Sequence, residues 1–197
     1  MSLSELKEFI ESSKLRNLHY TSICLAGGEV TLWKYLEEGV KLLFDSKICD
    51  GITLTTNGNE PEKIIKIEHM LKFWVVSLTQ ASEEQAKQYD AYKHKIVYND
   101  TPHKAFPTQP RYDLLPANCC SRIERKEENI EYNGLLYLKG NIYFCTLAHA
   151  LSPYVDLNEE NLVCSFYENF LDKFSQKTYN KRICAYCLCN TRIWKVL

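Results

Sequence analysis

Short apolar runs alternate with segments of helical periodicity through the first hundred residues of the chain. This alternation is typical of βα units that feed a mostly parallel sheet. The expected fold class is therefore α/β with parallel strands. The predicted strands are 20–25, 51–56, 73–78 and 95–98, and the predicted helices are 2–13, 31–46, 60–70 and 82–89.

The sequence changes character after residue 101. Four prolines fall between residues 102 and 116, and prolines interrupt helices and favour an irregular connection. Beyond them, the apolar runs 135–138 and 142–145, joined by a Lys-Gly-Asn turn, predict a β-hairpin, and a helix is expected from about residue 159. The predicted domains are 1–101 and 102–197.

Charge and hydropathy exclude several classes of partner. Lys plus Arg number 24 and Asp plus Glu number 25, so no strongly basic face is expected for nucleic acid or an anionic membrane. No run approaches the roughly 18 to 20 apolar residues of a membrane span. The start of the sequence is an acidic amphipathic pattern and not a secretory signal. The expected location is the cytoplasm, without nucleic-acid or membrane partners.

The chain contains nine cysteines, an odd number, and a reducing cytosol keeps thiols free. Metal or redox chemistry is therefore favoured over a disulfide framework. The strongest local signal is the Cys-x-x-Cys segment near the C-terminus, because two thiolates at this spacing can bind one metal. Thiolates select zinc or an iron–sulfur cluster, and spacing does not separate the two. The candidate ligands are Cys119 or Cys120, Cys145, Cys184 and Cys187.

Cys189, just beyond that segment, is either an alternative ligand to Cys187 or a spare thiol. The other three cysteines are interpreted as packing residues, since free cysteine is among the most buried residue types. Cys24 lies inside an apolar strand, Cys49 lies beside a loop, and Cys164 lies in the helix expected near the C-terminus. His149, close behind Cys145, is an alternative ligand in a zinc site.

Polar residues follow three of the predicted strands. Gly27-Gly28-Glu29 comes after the first strand, Thr56-Asn57 ends the second, and Ser77 falls at the end of the third. The carboxyl ends of parallel strands meet at one edge of the sheet, which is where α/β proteins bind ligands. These residues predict a polar ligand site, although a Gly-Gly pair by itself is usually a simple turn.

The order of these residues resembles that in radical S-adenosylmethionine (SAM) enzymes. The resemblance rests on Gly27-Gly28-Glu29 before a helix and on Thr56-Asn57 one βα unit later. It implies that residues 1–101 form a partial (β/α) barrel and that the Gly-Gly-Glu segment contacts the amino group of SAM. Glu29 would then accept a charge-assisted hydrogen bond from the SAM ammonium, and Ser77 would reach the ribose.

The C-terminal cysteines are similar to the auxiliary-cluster (SPASM or twitch) extension of the same superfamily. In that extension a cysteine, a hairpin that ends in a cysteine and a closing Cys-x-x-Cys bind a second four-iron four-sulfur cluster. The matching residues are Cys119 or Cys120, Cys145, Cys184 and Cys187. The resemblance therefore implies that residues 102–197 form a connection and a cysteine-rich auxiliary-cluster extension.

The sequence departs from the superfamily at one motif. No three cysteines have the Cys-x-x-x-Cys-x-x-Cys spacing that follows the first barrel strand in radical SAM enzymes. The resemblance thus implies a truncated or split enzyme that is not catalytic on its own. It also implies a partner polypeptide that supplies the first strand and this loop, and a small-molecule or peptide substrate.

Two other functions remain open on the sequence alone. A non-catalytic zinc-binding structural or interaction module would use Cys145, Cys184 and Cys187 with Cys120 or His149. An α/β scaffold that binds another protein through its exposed sheet edge would need neither metal nor SAM.

Overall fold

The computed structural model of the chain describes residues 1–76, 82–98, 123–126, 129–132, 135–145, 148–149, 152–153, 156 and 162–175. The chain divides into two compact units, Met1–Lys104 and Ala105–Leu197. The boundary expected from the sequence, after residue 101, lies close to this division. Of the helices described, none combines the length and apolarity that a membrane crossing requires.

The N-terminal unit alternates helices and strands as the sequence predicts. In chain order the elements are α1 (Leu3–Leu15), β1 (Ile23–Leu25), α2 (Leu36–Ser46), β2 (Ile52–Thr56), α3 (Pro61–Ile67), β3 (Phe73–Val76), α4 (Glu83–Lys87) and β4 (Ile96–Tyr98). Short 3₁₀ turns cover Val30–Leu32, Glu68–Met70 and Asp90–Lys95.

The four strands form one parallel sheet in the order β1-β2-β3-β4, and every neighbouring pair is parallel. The prediction of an α/β fold with parallel strands is confirmed. In register across the sheet, Leu25 pairs with Leu54, Leu54 with Trp74 and Trp74 with Ile96. All four side chains are buried, so this row forms the centre of the core. The described strands form an open sheet and do not close into a barrel.

The opposite face of the sheet is uncovered at three described positions, although Thr53 on the same face is 4% exposed. Side chains alternate between the two faces of a strand, so Cys24, Thr55 and Phe73 lie on the face away from the buried row. Cys24 and Thr55 are exposed, and Phe73 is 37% exposed. The strands follow one another in sequential order, and right-handed crossovers between them put the helices on the same face of the sheet. This explains why the two faces differ in exposure. The interpretation of Cys24 as a core residue is therefore wrong.

Helix α1 begins where its sequence predicts. Ser2 and Glu5 form a capping box, in which the Glu5 N–H donates to Ser2 Oγ (3.2 Å) and the Ser2 N–H donates to Glu5 Oε2 (2.6 Å). The side chains that this helix buries are Leu6, Phe9, Ile10 and Ser13. The Ser13 hydroxyl is shared between the Phe9 carbonyl and the Tyr20 hydroxyl, which satisfies its buried oxygen.

The second helix starts later than predicted. The sequence suggested a helix from residue 31, but the chain forms a 3₁₀ turn over Val30–Leu32 and α2 begins at Leu36. Leu32 was expected on the buried stripe of this helix and is 75% exposed. The cause is local, because the Glu29 side chain caps the short turn through the Thr31 N–H and so fixes it as a separate element.

The described part of the C-terminal unit is mainly antiparallel. Its elements are β5 (Ile123–Lys126), β6 (Asn129–Tyr132), β7 (Leu136–Leu138), β8 (Asn141–Tyr143), β9 (Val163–Ser165) and α5 (Phe170–Ser175). Strands β5 and β6 form one hairpin, and β7, β8 and β9 form a three-stranded sheet in that order. The hairpin predicted from the sequence is β7–β8, and it is confirmed. Its turn residues Lys139 and Gly140 have φ values of 49° and 75°, as a tight two-residue hairpin turn requires.

The prediction that Cys164 lies in a helix is wrong. It was assigned to a helix, but it lies in β9, where it pairs with Ile142 and is buried. Leu162, Cys164 and Phe166 are buried at every second position, which is the period of a strand. The helix in this region begins at Phe170. The β5–β6 hairpin was not predicted.

Candidate functional site

The loop after β1 turns sharply at two glycines. Gly27 has a φ of 115° and Gly28 a φ of 49°, both in a region that residues with side chains rarely adopt. A Cβ atom added at either position would have no atom within 4 Å. The need for glycine is therefore one of backbone conformation and not of space. The next residue, Glu29, then caps the 3₁₀ turn that follows.

The Glu29 carboxylate joins the ends of two neighbouring strands. Its Oε1 accepts from the Thr31 N–H (3.0 Å), the Thr31 hydroxyl (2.9 Å) and the Thr56 hydroxyl (2.8 Å). Its Oε2 accepts from the Asn57 N–H (2.6 Å). Three of the site residues predicted from the sequence, Glu29, Thr56 and Asn57, therefore meet at the C-terminal edge of the sheet. Their role in ligand binding stays a prediction.

The two carboxylate oxygens are used unequally. A carboxylate offers about four acceptor positions in all, or two for each oxygen. Oε1 is engaged by three donors, whereas Oε2 accepts one hydrogen bond from the described residues. Oε2 consequently keeps an acceptor position for a further donor, and that donor would be most favourable if it carried positive charge.

The surroundings of Glu29 keep it ionised at neutral pH. Partial burial is the largest single influence and raises the pKa of the carboxyl group. The hydrogen bonds from the Thr31 and Asn57 N–H groups and from the Thr56 and Thr31 hydroxyls together outweigh it and lower the pKa. The site thus presents a fixed negative charge at the edge of the sheet.

Glu29→Gln should be less stable than the wild type at neutral pH, and this difference should shrink in acid. The folded pKa lies below the ordinary value of 4.5, so ionised Glu29 stabilises the fold above pH 4.5. That contribution is lost as the pH falls through the lower folded value. Urea unfolding of both proteins at neutral pH and at several values below 4.5 measures the change. A Glu62→Gln control removes the same charge from an exposed position of α3, and a constant difference at every pH for Glu29→Gln would contradict the prediction.

The loop after β2 is held from a second side. The Gly58 N–H donates to Thr56 Oγ1 (3.2 Å), and the Tyr89 hydroxyl donates to the Gly58 carbonyl (3.3 Å). Gln85 Nε2 donates to the Asn59 carbonyl (2.6 Å), while the same side chain closes the capping box of α4. Thr56 is 2% exposed, so its hydroxyl is fixed in place for Glu29.

Sequence reasoning missed Thr31, which supplies two of the four donors to Glu29. A local signal was available, because a threonine two residues after an acidic side chain can donate both its N–H and its hydroxyl to that side chain. It was overlooked because Thr31 was assigned to a regular helix.

The predicted metal ligands are described only in part. Ser77 and the cysteines at positions 119, 120, 184 and 187 lie outside the described residues. Cys145 is half-buried two residues beyond β8, and its Sγ accepts from the Ala148 N–H at 3.3 Å. The His149 ring packs edge-on against Tyr143, with ring centroids 5.0 Å apart. Among the residues that the structure describes, no three His, Cys, Asp or Glu side chains converge to hold a metal ion.

The N-terminal unit contains two cysteines, Cys24 and Cys49. Cys24 Sγ lies 4.0 Å from Thr55 Oγ1 on the uncovered face of the sheet. Cys49 is half-buried beside the backbone bridge to Tyr20, and burial raises the pKa of its thiol. The raised pKa disfavours the thiolate of Cys49, which is the nucleophilic form.

No protein-family model matches the chain. The curated proteins likewise contain no significant match to it.

Proposed function

We propose that this chain is a radical SAM-like iron–sulfur protein that binds SAM at the C-terminal edge of the parallel sheet. The observation that carries the proposal is the Glu29 carboxylate, which is ionised and bound to donors from the ends of both β1 and β2. SAM has an ammonium group, and Oε2 of Glu29 has an acceptor position for it. Gly27 and Gly28 give the loop the shape that presents this carboxylate.

The strand order supports a segment of a (β/α) barrel. In such a barrel consecutive parallel strands are neighbours and the helices lie outside them. A doubly wound sheet instead reverses its strand order at a switch point and has helices on both faces. Four parallel strands in sequential order, with Cys24, Thr55 and Phe73 exposed on the face opposite the core, fit the barrel segment better.

The C-terminal unit is proposed to hold an auxiliary four-iron four-sulfur cluster. A cysteine binds a metal as the thiolate, and a backbone N–H directed at the sulfur stabilises that negative charge. Cys145 has such a donor in the Ala148 N–H. The other proposed ligands are Cys119 or Cys120, Cys184 and Cys187. When bound, the cluster would supply electron transfer or an attachment point for substrate.

The open edge of β1 supports a polypeptide partner. Among the described strands, β1 pairs only with β2 and ends the strand order. Alternate residues of a parallel strand direct their backbone groups to opposite sides. Ile23 and Leu25 face β2, so the backbone of Cys24 faces the open side. A strand from another polypeptide would satisfy these groups, and we propose that it also carries the Cys-x-x-x-Cys-x-x-Cys loop. Catalysis on a peptide or small-molecule substrate would require that partner.

Metal analysis tests the proposal. After anaerobic purification and reconstitution, the full chain should contain about four iron and four sulfide per molecule. A double Cys184→Ala, Cys187→Ala variant should lose them, and so should Cys145→Ser, because each removes ligands of the same cluster. Cys24→Ser is the matched control, since it changes an exposed thiol of the N-terminal unit.

Two results would overturn the cluster assignment. About one zinc and no sulfide per chain would indicate the zinc-binding module instead. The absence of any stoichiometric metal in the wild type would favour a protein-binding α/β scaffold.

A further inference from the structure

Lys63 connects helix α3 to the turn that follows β1. Its Nζ donates to the Thr31 carbonyl at 3.0 Å and pairs with Glu60 Oε1 at 2.8 Å. Thr31 is separated from Lys63 by 32 residues in the sequence and is 2% exposed. Lys63 therefore makes a long-range hydrogen bond to a buried residue in addition to its ion pair with Glu60.

Thr31 is held on two sides at once. Its N–H and hydroxyl both donate to Glu29 Oε1, while its carbonyl accepts from Lys63. Movement of this residue would change the orientation of the Glu29 carboxylate. Hydrogen bonds thus connect Lys63 to Glu29 through Thr31.

We propose that Lys63 is a positioning residue for the Glu29 carboxylate, and that it leaves Oε2 oriented to accept the ammonium of SAM. The inference rests on the proposed function, because it names SAM as the ligand. Lys63 fixes the 3₁₀ turn, and the turn fixes Oε1 through two hydrogen bonds. A carboxylate fixed at one oxygen loses less freedom when the other oxygen binds a ligand.

Glu60 makes this arrangement compatible with a cationic ligand. A lysine close to the site would repel the ammonium of SAM if its charge were uncompensated. The Glu60 carboxylate pairs with Lys63, and this bond is the main reason that the pKa of Glu60 is lowered. The Lys63–Glu60 pair as a whole is close to neutral. Lys63 can therefore bind the Thr31 carbonyl without repelling the ammonium that Glu29 attracts.

Lys66 provides a matched control on the same helix. It pairs with Glu37 of α2 at 2.6 Å, and both side chains are more than half exposed. Lys63→Met and Lys66→Met each remove one lysine charge from α3, but only the first removes a bond to Thr31.

Amide hydrogen exchange tests the positioning role without any ligand. In Lys63→Met the Thr31 amide should exchange about threefold to tenfold faster, as expected for the loss of one ordinary hydrogen bond in its support. Lys66→Met should leave that rate unchanged, and Lys63→Arg should restore most of the protection because it keeps a cationic donor. Equal exchange at Thr31 in the two methionine variants would overturn the proposal.

A SAM titration of the full chain tests the consequence for binding. Lys63→Met should weaken SAM binding about threefold to tenfold relative to Lys66→Met. Glu60→Gln should also weaken it, because the charge of Lys63 is then uncompensated. Unchanged affinity in both variants would overturn the proposal. If the wild type does not bind SAM, the proposed function fails, whereas the exchange result at Thr31 still decides whether Lys63 positions Glu29.

Discussion

Trp74→Ala is expected to lower the free energy of unfolding by about 3 to 5 kcal/mol, the usual range for removing a large buried aromatic side chain. Trp74 is completely buried in β3, where it pairs with Leu54 on one side and Ile96 on the other. Its ring also packs against Tyr92, with centroids 6.0 Å apart. Alanine would leave a cavity in the centre of the core that the surrounding strands cannot close. Urea denaturation of the full chain measures the loss. Far-ultraviolet circular dichroism is the probe, because the substitution removes a tryptophan and so changes the fluorescence signal.

The neighbouring residue on the same strand is the control. Phe73 lies on the uncovered face of the sheet and is 37% exposed, so Phe73→Ala should cost only about 1 kcal/mol. The difference between the two losses of unfolding free energy tests whether Trp74 lies on the covered face of the sheet and Phe73 on the uncovered face. Similar losses for the two substitutions would contradict that arrangement.

On the proposal that the chain binds SAM at Glu29, Glu29→Gln is expected to weaken SAM binding about tenfold to a hundredfold. A hydrogen bond to a charged group contributes about 1.5 to 3 kcal/mol, and each 1.4 kcal/mol is a factor of ten in affinity. Glutamine has nearly the same shape but no charge to attract the ammonium. It also replaces an oxygen with an amide group that cannot accept from the donors around Glu29. Isothermal titration calorimetry with the full chain measures the effect.

Methylthioadenosine separates the charge effect from a general disturbance of the site. This compound keeps the adenosine part of SAM but lacks the ammonium, so its affinity should be nearly the same for wild type and Glu29→Gln. A Glu62→Gln variant controls for the change in net charge. Equal weakening of SAM and methylthioadenosine would show that Glu29 shapes the loop and does not contact the ammonium.

The local pattern of the sequence predicts most of the N-terminal unit. Strands β1 to β4 follow from short apolar runs, and α1 follows from its capping residues and its apolar spacing. The local pattern does not predict the structure where a hydrogen bond from a side chain determines the backbone conformation. The chain around Leu32 has helical periodicity, yet the Glu29 cap produces a separate 3₁₀ turn and leaves Leu32 exposed. Cys24 was assigned to the core because an apolar run does not reveal which of its alternate side chains are exposed in the sheet.

The candidate site was predictable in its residues but not in its contacts. The positions of Glu29, Thr56 and Asn57 after successive strands predict that they lie at one edge of the sheet. The hydrogen bonds between Glu29 and Thr56, and between Lys63 and Thr31, join residues 27 and 32 positions apart. Such bonds depend on how strands and helices pack, and no periodicity in a single sequence encodes them. Cys164 was assigned to the wrong element, because residues 162–166 are apolar at four of five positions and this run does not by itself show the alternating burial of the strand.

The sequential order of the parallel strands has a consequence for how the protein is made. Each strand from β1 to β3 has the next strand in the chain as a neighbour, so none of the described pairs joins distant parts of this unit. Loop closure between successive strands therefore spans a single helix-containing connection, which limits its entropic cost. The unit can assemble from its N-terminus as the chain leaves the ribosome, with β2 adding to β1 and β3 adding to β2. Translation and folding would then proceed in the same direction along this part of the molecule.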